Sequence, residues 1–217
     1  MPQCQIDHIT ILSPSLAAGA ELVHQVLGVS PQQGGEHPKM GTHNLLLRLG
    51  PSLFLEVIAI NPDVPAPGRP RWFGLDQISP DSKPFLGCWV ARTDDIHKAL
   101  MAATEPLGVA ESMTRGTLEW LISLPEEGRL PLAGTAPALI QWQTPMHPAV
   151  AMQDKACSLV KLELMHPEAQ RLRALIDSLQ FAESAVTLSV AYATSPGLVA
   201  HIQTPFGLRT LGSNRSV

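Results

Sequence analysis

Three times along its 217 residues the chain passes through one order of elements, a strand, a helix and at least two further strands. This repetition limits the fold more than any single motif does. Ile6 to Leu12 reads as a strand of β-branched and apolar residues, and Ser13-Pro14-Ser15 supplies a turn and a helix N-cap. Leu16, Gly19/Ala20, Val23 and Val26/Leu27 recur at helical spacing, the stripe of an amphipathic helix that Gly28 ends. A polar, Gly-rich loop from Pro31 to Gly41 leads to two apolar runs, Asn44 to Leu49 and Leu53 to Ile60, joined by the hairpin signal Gly50-Pro51-Ser52. A stretch with six prolines, Pro62 to Pro84, breaks the pattern before it restarts. The second round predicts a strand over Phe85 to Ala91, a helix from Asp94 to Thr104 capped by Thr93, and strands over Leu118 to Leu124 and Leu139 to Gln143. The third predicts a strand over Leu159 to Met165, a helix from Pro167 through Leu179, and strands over Val186 to Ala193 and Leu198 to Gln203.

The rounds also align residue by residue. Equating Leu16 with Ile96 at the first helical turn puts His8 on Cys88, and aligning the last strands sets Phe54-Leu55-Glu56-Val57 on Leu139-Ile140-Gln141-Trp142. The second and third rounds both close on Gln-Thr-Pro, at Gln143 to Pro145 and Gln203 to Pro205, with His201 falling on Gln141. The expected fold class is therefore α+β, built of repeated βαβββ modules, each with a sheet face that must be buried against another unit. The expected division is residues 1–62, a connector over 63–84, a second module over 85–150 and a degenerate βαββ module over 151–217, all packed as one unit.

Composition removes several classes of function. With 45% hydrophobic and 16% charged residues the chain can bury a core. Its net charge of −4, without a basic stripe, argues against nucleic acid. No apolar run approaches the ~20 residues that cross a bilayer, so no membrane segment is expected. Met1 to His8 carries no signal-peptide pattern, which makes a cytoplasmic location the expectation. Cys4, Cys88 and Cys157 are odd in number, widely spaced and form no CxxC pair, as reduced thiols would be. No GxGxxG, Walker loop, HExxH or GxSxG occurs, and Met146-His147-Pro148 resembles no metal motif.

Two strand residues carry the chemistry. Alternation puts His8 on one face with Ile6 and Thr10, and Glu56 with Phe54 and Ile58. Glu56 is the one charge in its run, and a carboxylate on an apolar strand needs a cation or hydrogen-bond donors. An imidazole and a carboxylate on two rigid strands are ordinary ligands for a divalent ion. The other arrangement is that Glu56 faces solvent while Leu53, Leu55, Val57 and Ala59 form the core, with His8 a hydrogen-bonded strand histidine. Trp72, Phe73, Trp89, Trp120 and Trp142 are available either to line a pocket or to fill a core.

Asp7-His8-Ile9, a helix, an open loop and Phe54-Leu55-Glu56-Val57 together resemble the first βαβββ module of the vicinal oxygen chelate superfamily, which includes glyoxalase I, extradiol dioxygenases and bleomycin-resistance proteins. The closest likeness is to glyoxalase-like domains, which commonly carry a His-Pro-x-x-Gly-Thr-x-Asn loop, here His37-Pro38-Lys39-Met40-Gly41-Thr42-His43-Asn44. The resemblance implies curved, barrel-like mixed sheets around a cavity with helices outside. It also implies a small-molecule ligand or substrate, is compatible with a homodimer, and suggests a divalent ion (Zn, Ni, Mn or Fe) held by His8, Glu56 and Gln141. Glu56 and His43 are then the expected proton-transfer groups, and His37, Thr42, Asn44, Cys88 and His201 the expected pocket residues. Cys88 and Gln141 depart from the histidine and glutamate of a fully armed second module. The implied activity is a metal-dependent lyase, isomerase or dioxygenase acting on a small carbonyl or vicinal-oxygen compound; the alternative is a metal-free binding or sequestration protein.

Overall fold

The computed structural model describes residues 3–212. The first unit comprises β1 (Cys4–Leu12), α1 (Leu16–Leu27), β2 (Gln32–His37), β3 (Thr42–Gly50) and β4 (Leu53–Ile60). The second comprises β5 (Phe85–Thr93), α2 (Ile96–Ala102), β6 (Val109–Arg115), β7 (Leu118–Leu124) and β8 (Ala138–Trp142). Together their strands form one eight-stranded sheet in the order β2-β3-β4-β1-β5-β8-β7-β6. Within each unit the first strand runs parallel to the last, β1 to β4 and β5 to β8, and the units join through the antiparallel pair β1/β5. The mixed sheet curls so that its edge strands β2 and β6 approach each other. Lys39 and Arg69 both reach Glu111 on β6, Arg69 with two bonds of 2.6 and 2.7 Å, and tie the edges together.

Local chemistry sets the helices. The Ser15 hydroxyl accepts from the Ala18 amide to start α1, and Gly28 ends the helix at φ 74°. Gly19 lets α1 lie close on β4, since a β-carbon there would stand 2.2 Å from Val57 Cγ1. The N-cap of α2 is Asp95, whose carboxylate accepts from the Lys98 amide, and not Thr93. Patterning offers β2 only as a possible short strand in the loop, and passes over two others. β2 (Gln-Gln-Gly-Gly-Glu-His) and β6 (Val-Ala-Glu-Ser-Met-Thr-Arg) are edge strands with little apolar alternation to reveal them. The last, β12 (Gly207–Gly212), is an edge strand that pairs with β11 and places Leu211 in the core.

The two faces of the large sheet serve different purposes. Ile9, Ile11, Leu55, Val57, Trp89 and Leu139 face outward into one core with α1 and α2. The third unit shares that core through Leu159, Leu162, Leu164, Leu172, Leu198 and Ile202, carried on β9 (Ser158–His166), α3 (Ala169–Ser178) and β11 (Gly197–Thr204). Its sheet has the order β10-β9-β11-β12, where β10 spans Thr187–Tyr192. It therefore backs the large sheet and lies on the side away from the cavity. The inner face carries Leu12, Ile58, Cys88, Val90, Met113, Trp120, Ile122 and Ile140, closed by Trp72 and Leu75 of the Pro-rich connector.

Candidate functional site

A single irregularity in β1 builds one side of the site. Ile6 pairs with Ala91 but His8 already pairs with Val90, so Asp7 is the extra residue of a β-bulge. Strict alternation had put His8 on one face with Ile6. The bulge turns Ile6 into the outer core instead and lets Asp7 and His8 meet on the inner side. Asp7 is fully buried and accepts from His8 Nδ1 at 2.6 Å, Trp142 Nε1 at 2.8 Å and His147 Nε2 at 3.0 Å. Burial alone would raise its carboxyl, but the bonds from His147 and His8 outweigh it and hold Asp7 well below the usual carboxylate range. With Nδ1 committed to Asp7, His8 presents Nε2 to the cavity. The imidazole is further fixed by stacking on Phe54, the ring centroids 4.5 Å apart.

Glu56 faces that nitrogen from β4, its Oε2 3.8 Å from His8 Nε2. Its other oxygen, Oε1, accepts from Asn44 Nδ2 at 2.6 Å, and the Thr10 hydroxyl lies 3.5 Å from Oε2. Asn44 is oriented in turn, because its Oδ1 accepts from the Gly35 amide at 2.8 Å and from Arg115 at 3.2 Å. Arg115 comes from β6, at the far end of the second unit, and also donates to His37 Nε2 at 3.2 Å, while Thr42 Oγ1 is 3.1 Å from His37 Nδ1. Burial, with the Arg115 charge beside it, pushes His37 down to about 3. It is therefore a neutral acceptor at ordinary pH. Burial also lowers Arg115, against the charge of Glu56. His8, His37, Asn44, Glu56, Trp72, Phe73, Arg115, Trp120 and Trp142 surround a cavity of about 40 Å³. That is room for little more than one or two small molecules such as water.

His8, Glu56, His37, Thr42 and Asn44 are thus brought into one network, and three other expected residues are not. His43 pairs with Ala59 on the outer face, one residue out of phase with Asn44, so it is no proton-transfer group in this cavity. Gln141 also faces outward, where its Oε1 accepts from the Ile96 amide at 2.9 Å at the start of α2. The ladders explain the misalignment. Thr10 is opposite Glu56 and the equivalent Val90 is opposite Ala138, so the counterpart of Glu56 is Ala138. His201 lies on the four-stranded sheet beside Glu163, 3.4 Å away, remote from the cavity. Cys88 does face inward, next to Thr10 in the ladder, but burial together with the charge of Glu56 raises its thiol far from thiolate character. Patterning missed Asp7, Arg115, Trp142 as a donor, and His147. Asp7 alone carried a signal, a charge inside a strand of the kind that drew attention to Glu56.

Sequence comparison with curated proteins finds no match. Residues 6–180, however, match the family model described as "Glyoxalase-like domain". The chain belongs to the glyoxalase-like domain family. This places it in the glyoxalase/vicinal oxygen chelate superfamily, whose curled mixed sheet it has. A hypothetical protein from Staphylococcus aureus is similar to this glyoxalase-like protein over 89% of this chain and 87% of its own, at 13% identity and a TM-score of 0.56. A triple mutant of 4-hydroxymandelate synthase from Streptomyces coelicolor is similar over 98% of this chain and 63% of its own, at 14% identity and a TM-score of 0.50.

Divalent metals are common in the superfamily, so the donor set of this glyoxalase-like protein is a test. Among the described residues no three His, Cys, Asp or Glu side chains are grouped to hold an ion. His8 and Glu56 supply two ligands, the inner positions of the second unit are Val90, Ala138 and Ile140, and a guanidinium already sits in the Glu56 network. Two ligands, an alkyl wall and a fixed positive charge do not fit a resident divalent cation.

Proposed function

We propose that this glyoxalase-like protein is an enzyme that moves a proton on a small carbonyl compound, with Glu56 as the base and His8 as its relay partner. The observation that carries this reading is the opposed pair itself. Glu56 Oε2 and His8 Nε2 face each other at 3.8 Å, each held from behind by a buried partner, Asn44 and Asp7. Two titratable groups fixed by neighbours on rigid strands are what general acid–base catalysis requires. In this reading Glu56 Oε2 takes a proton from the carbon next to the carbonyl, and Arg115 stabilises the enolate oxygen that forms. His8, its tautomer fixed by Asp7, exchanges the proton with the other end of the reacting unit. No step is routed through a metal.

The test is deuterium incorporation from solvent, followed by proton NMR, into a panel of aldehydes, ketones and 2-oxo acids. Wild-type protein should accelerate exchange into at least one class, and Glu56→Gln should slow it by a factor of about 10² or more. His8→Gln should impair it, and chelator should leave it unchanged. Undiminished exchange in Glu56→Gln, or activity that requires stoichiometric metal, overturns the reading. Tight binding of a carbonyl compound without exchange would instead identify a sequestration protein using the same cavity.

A further inference from the structure

The cavity beside Glu56 is too small for a substrate body, but a second, larger one opens on the same inner face. It has a volume of about 620 Å³ and lies at the opposite end of β1, where Leu12, Phe85, Leu130 and Ile78 form its apolar walls. That size is within the usual range for small-molecule pockets. Cys88 is at its inner end, opposite Thr10 in the β1/β5 ladder, and Thr10 touches Glu56. Two side chains therefore separate this cleft from the carboxylate. Phe73 lines both spaces.

The walls of the cleft hold unusual backbone. Phe73 stands at φ 60° and Ala133 at φ 54°, each a non-glycine residue in the left-handed region, with Gly74 and Gly134 next to them. Such conformations are unfavourable for residues with a β-carbon and persist where the surroundings enforce them. Here they form the two turns that leave the cleft open between the connector and the second unit. The rim is polar and carries two cations, Lys83 and Arg129, with Gln77, Ser82 and Asp81. Arg129 is paired with Glu127, whereas Lys83 makes no ion pair among the described residues.

We propose that this cleft is the binding chamber for the body of an amphipathic organic anion. The apolar chain of the ligand lies on Ile78, Phe85 and Leu130, its anionic end meets Lys83 and Arg129, and its other end points past Phe73 to Glu56. Combined with the acid–base reading, on which this last assignment rests, the substrate class becomes a carbonyl compound with an extended apolar chain ending in an anionic group.

Titration calorimetry with sodium decanoate tests the chamber without turnover. Decanoate should bind with one-to-one stoichiometry, Lys83→Glu/Arg129→Glu should weaken it about tenfold or more, and Ile78→Trp should abolish it by filling the cleft. Decanol should bind more weakly than decanoate. Glu56→Gln should retain decanoate binding while losing exchange, so failure of the chamber and failure of the acid–base assignment read out separately. In the exchange assay, ω-oxo acids, with the carbonyl and the carboxylate at opposite ends of the chain, should show kcat/KM rising with chain length, and the Lys83→Glu/Arg129→Glu protein should lose that rise. No decanoate binding, binding indifferent to all three cleft substitutions, or equal binding of decanol overturns the proposal.

Discussion

His37 should make the protein lose stability on mild acidification. The residue is only 7% exposed, accepts from Arg115 through Nε2, and has its pKa pushed from 6.5 to about 3 by burial and that guanidinium. A histidine held neutral in the folded state binds fewer protons than the same residue in the unfolded chain. Folding stability is therefore complete above the unfolded value of 6.5 and falls as pH drops toward the folded value of about 3. Below pH 6.5 the slope from this group is about 1.4 kcal/mol per pH unit, which integrates to about 2 kcal/mol between pH 7 and pH 5. Urea unfolding followed by tryptophan fluorescence at several pH values, for wild type and His37→Gln, isolates the contribution as a difference curve. The variant should be less stable at pH 7 because an amide replaces the ring packed edge-on against Trp72 and Trp120, and the gap should narrow by about 2 kcal/mol at pH 5. Parallel curves for the two proteins across that window would refute the buried, neutral state of His37.

Four further expectations follow from contacts at and around the site. Gly34→Ala would place a β-carbon 2.1 Å from Asn44 Oδ1, so it should displace Asn44 from Glu56 and reduce turnover more than it lowers the urea midpoint. Asp7→Asn removes the anionic acceptor of His8, Trp142 and His147 and should cost about 2 to 4 kcal/mol. Because Asp7 is held low in the folded protein, that stabilisation is present above the ordinary carboxylate range and lost as pH falls through it, which an acid-unfolding titration of both proteins will show. Arg171→Met leaves the buried Glu105 without its two bonds of 2.5 and 2.6 Å and should lower the urea midpoint, with Glu105→Gln in the same background recovering part of the loss. Gln141→Leu leaves the Ile96 amide at the start of α2 without its acceptor and should cost about 1 kcal/mol, measured by urea unfolding, with turnover intact.

The sequence determined what strong local patterning can encode. Three rounds of strand and helix, the Ser15 and Gly28 caps, the apolar strands around His8 and Glu56, and the loop from His37 to Asn44 were all legible, because each follows from side-chain periodicity or turn chemistry within a few residues. The candidate set of His8, Glu56, Asn44 and His37 came from the resemblance to glyoxalase-like domains, because alternation by itself left Glu56 free to face either side of its strand. The tertiary structure decided everything that depends on register between distant strands. A bulge at Asp7 reverses the face of Ile6 and creates the Asp7–His8 contact, and a backbone bulge has no side-chain period to announce it. The β1/β4 and β5/β8 ladders set Ala138 in the place of Glu56, so the sequence alignment with Gln141 is off by three residues, and a slip by an odd number exchanges the two faces of a strand and leaves Gln141 outward. Arg115 and His147 join Asn44 and Asp7 across 71 and 140 residues of chain, only because the sheet curls and a loop returns to β1.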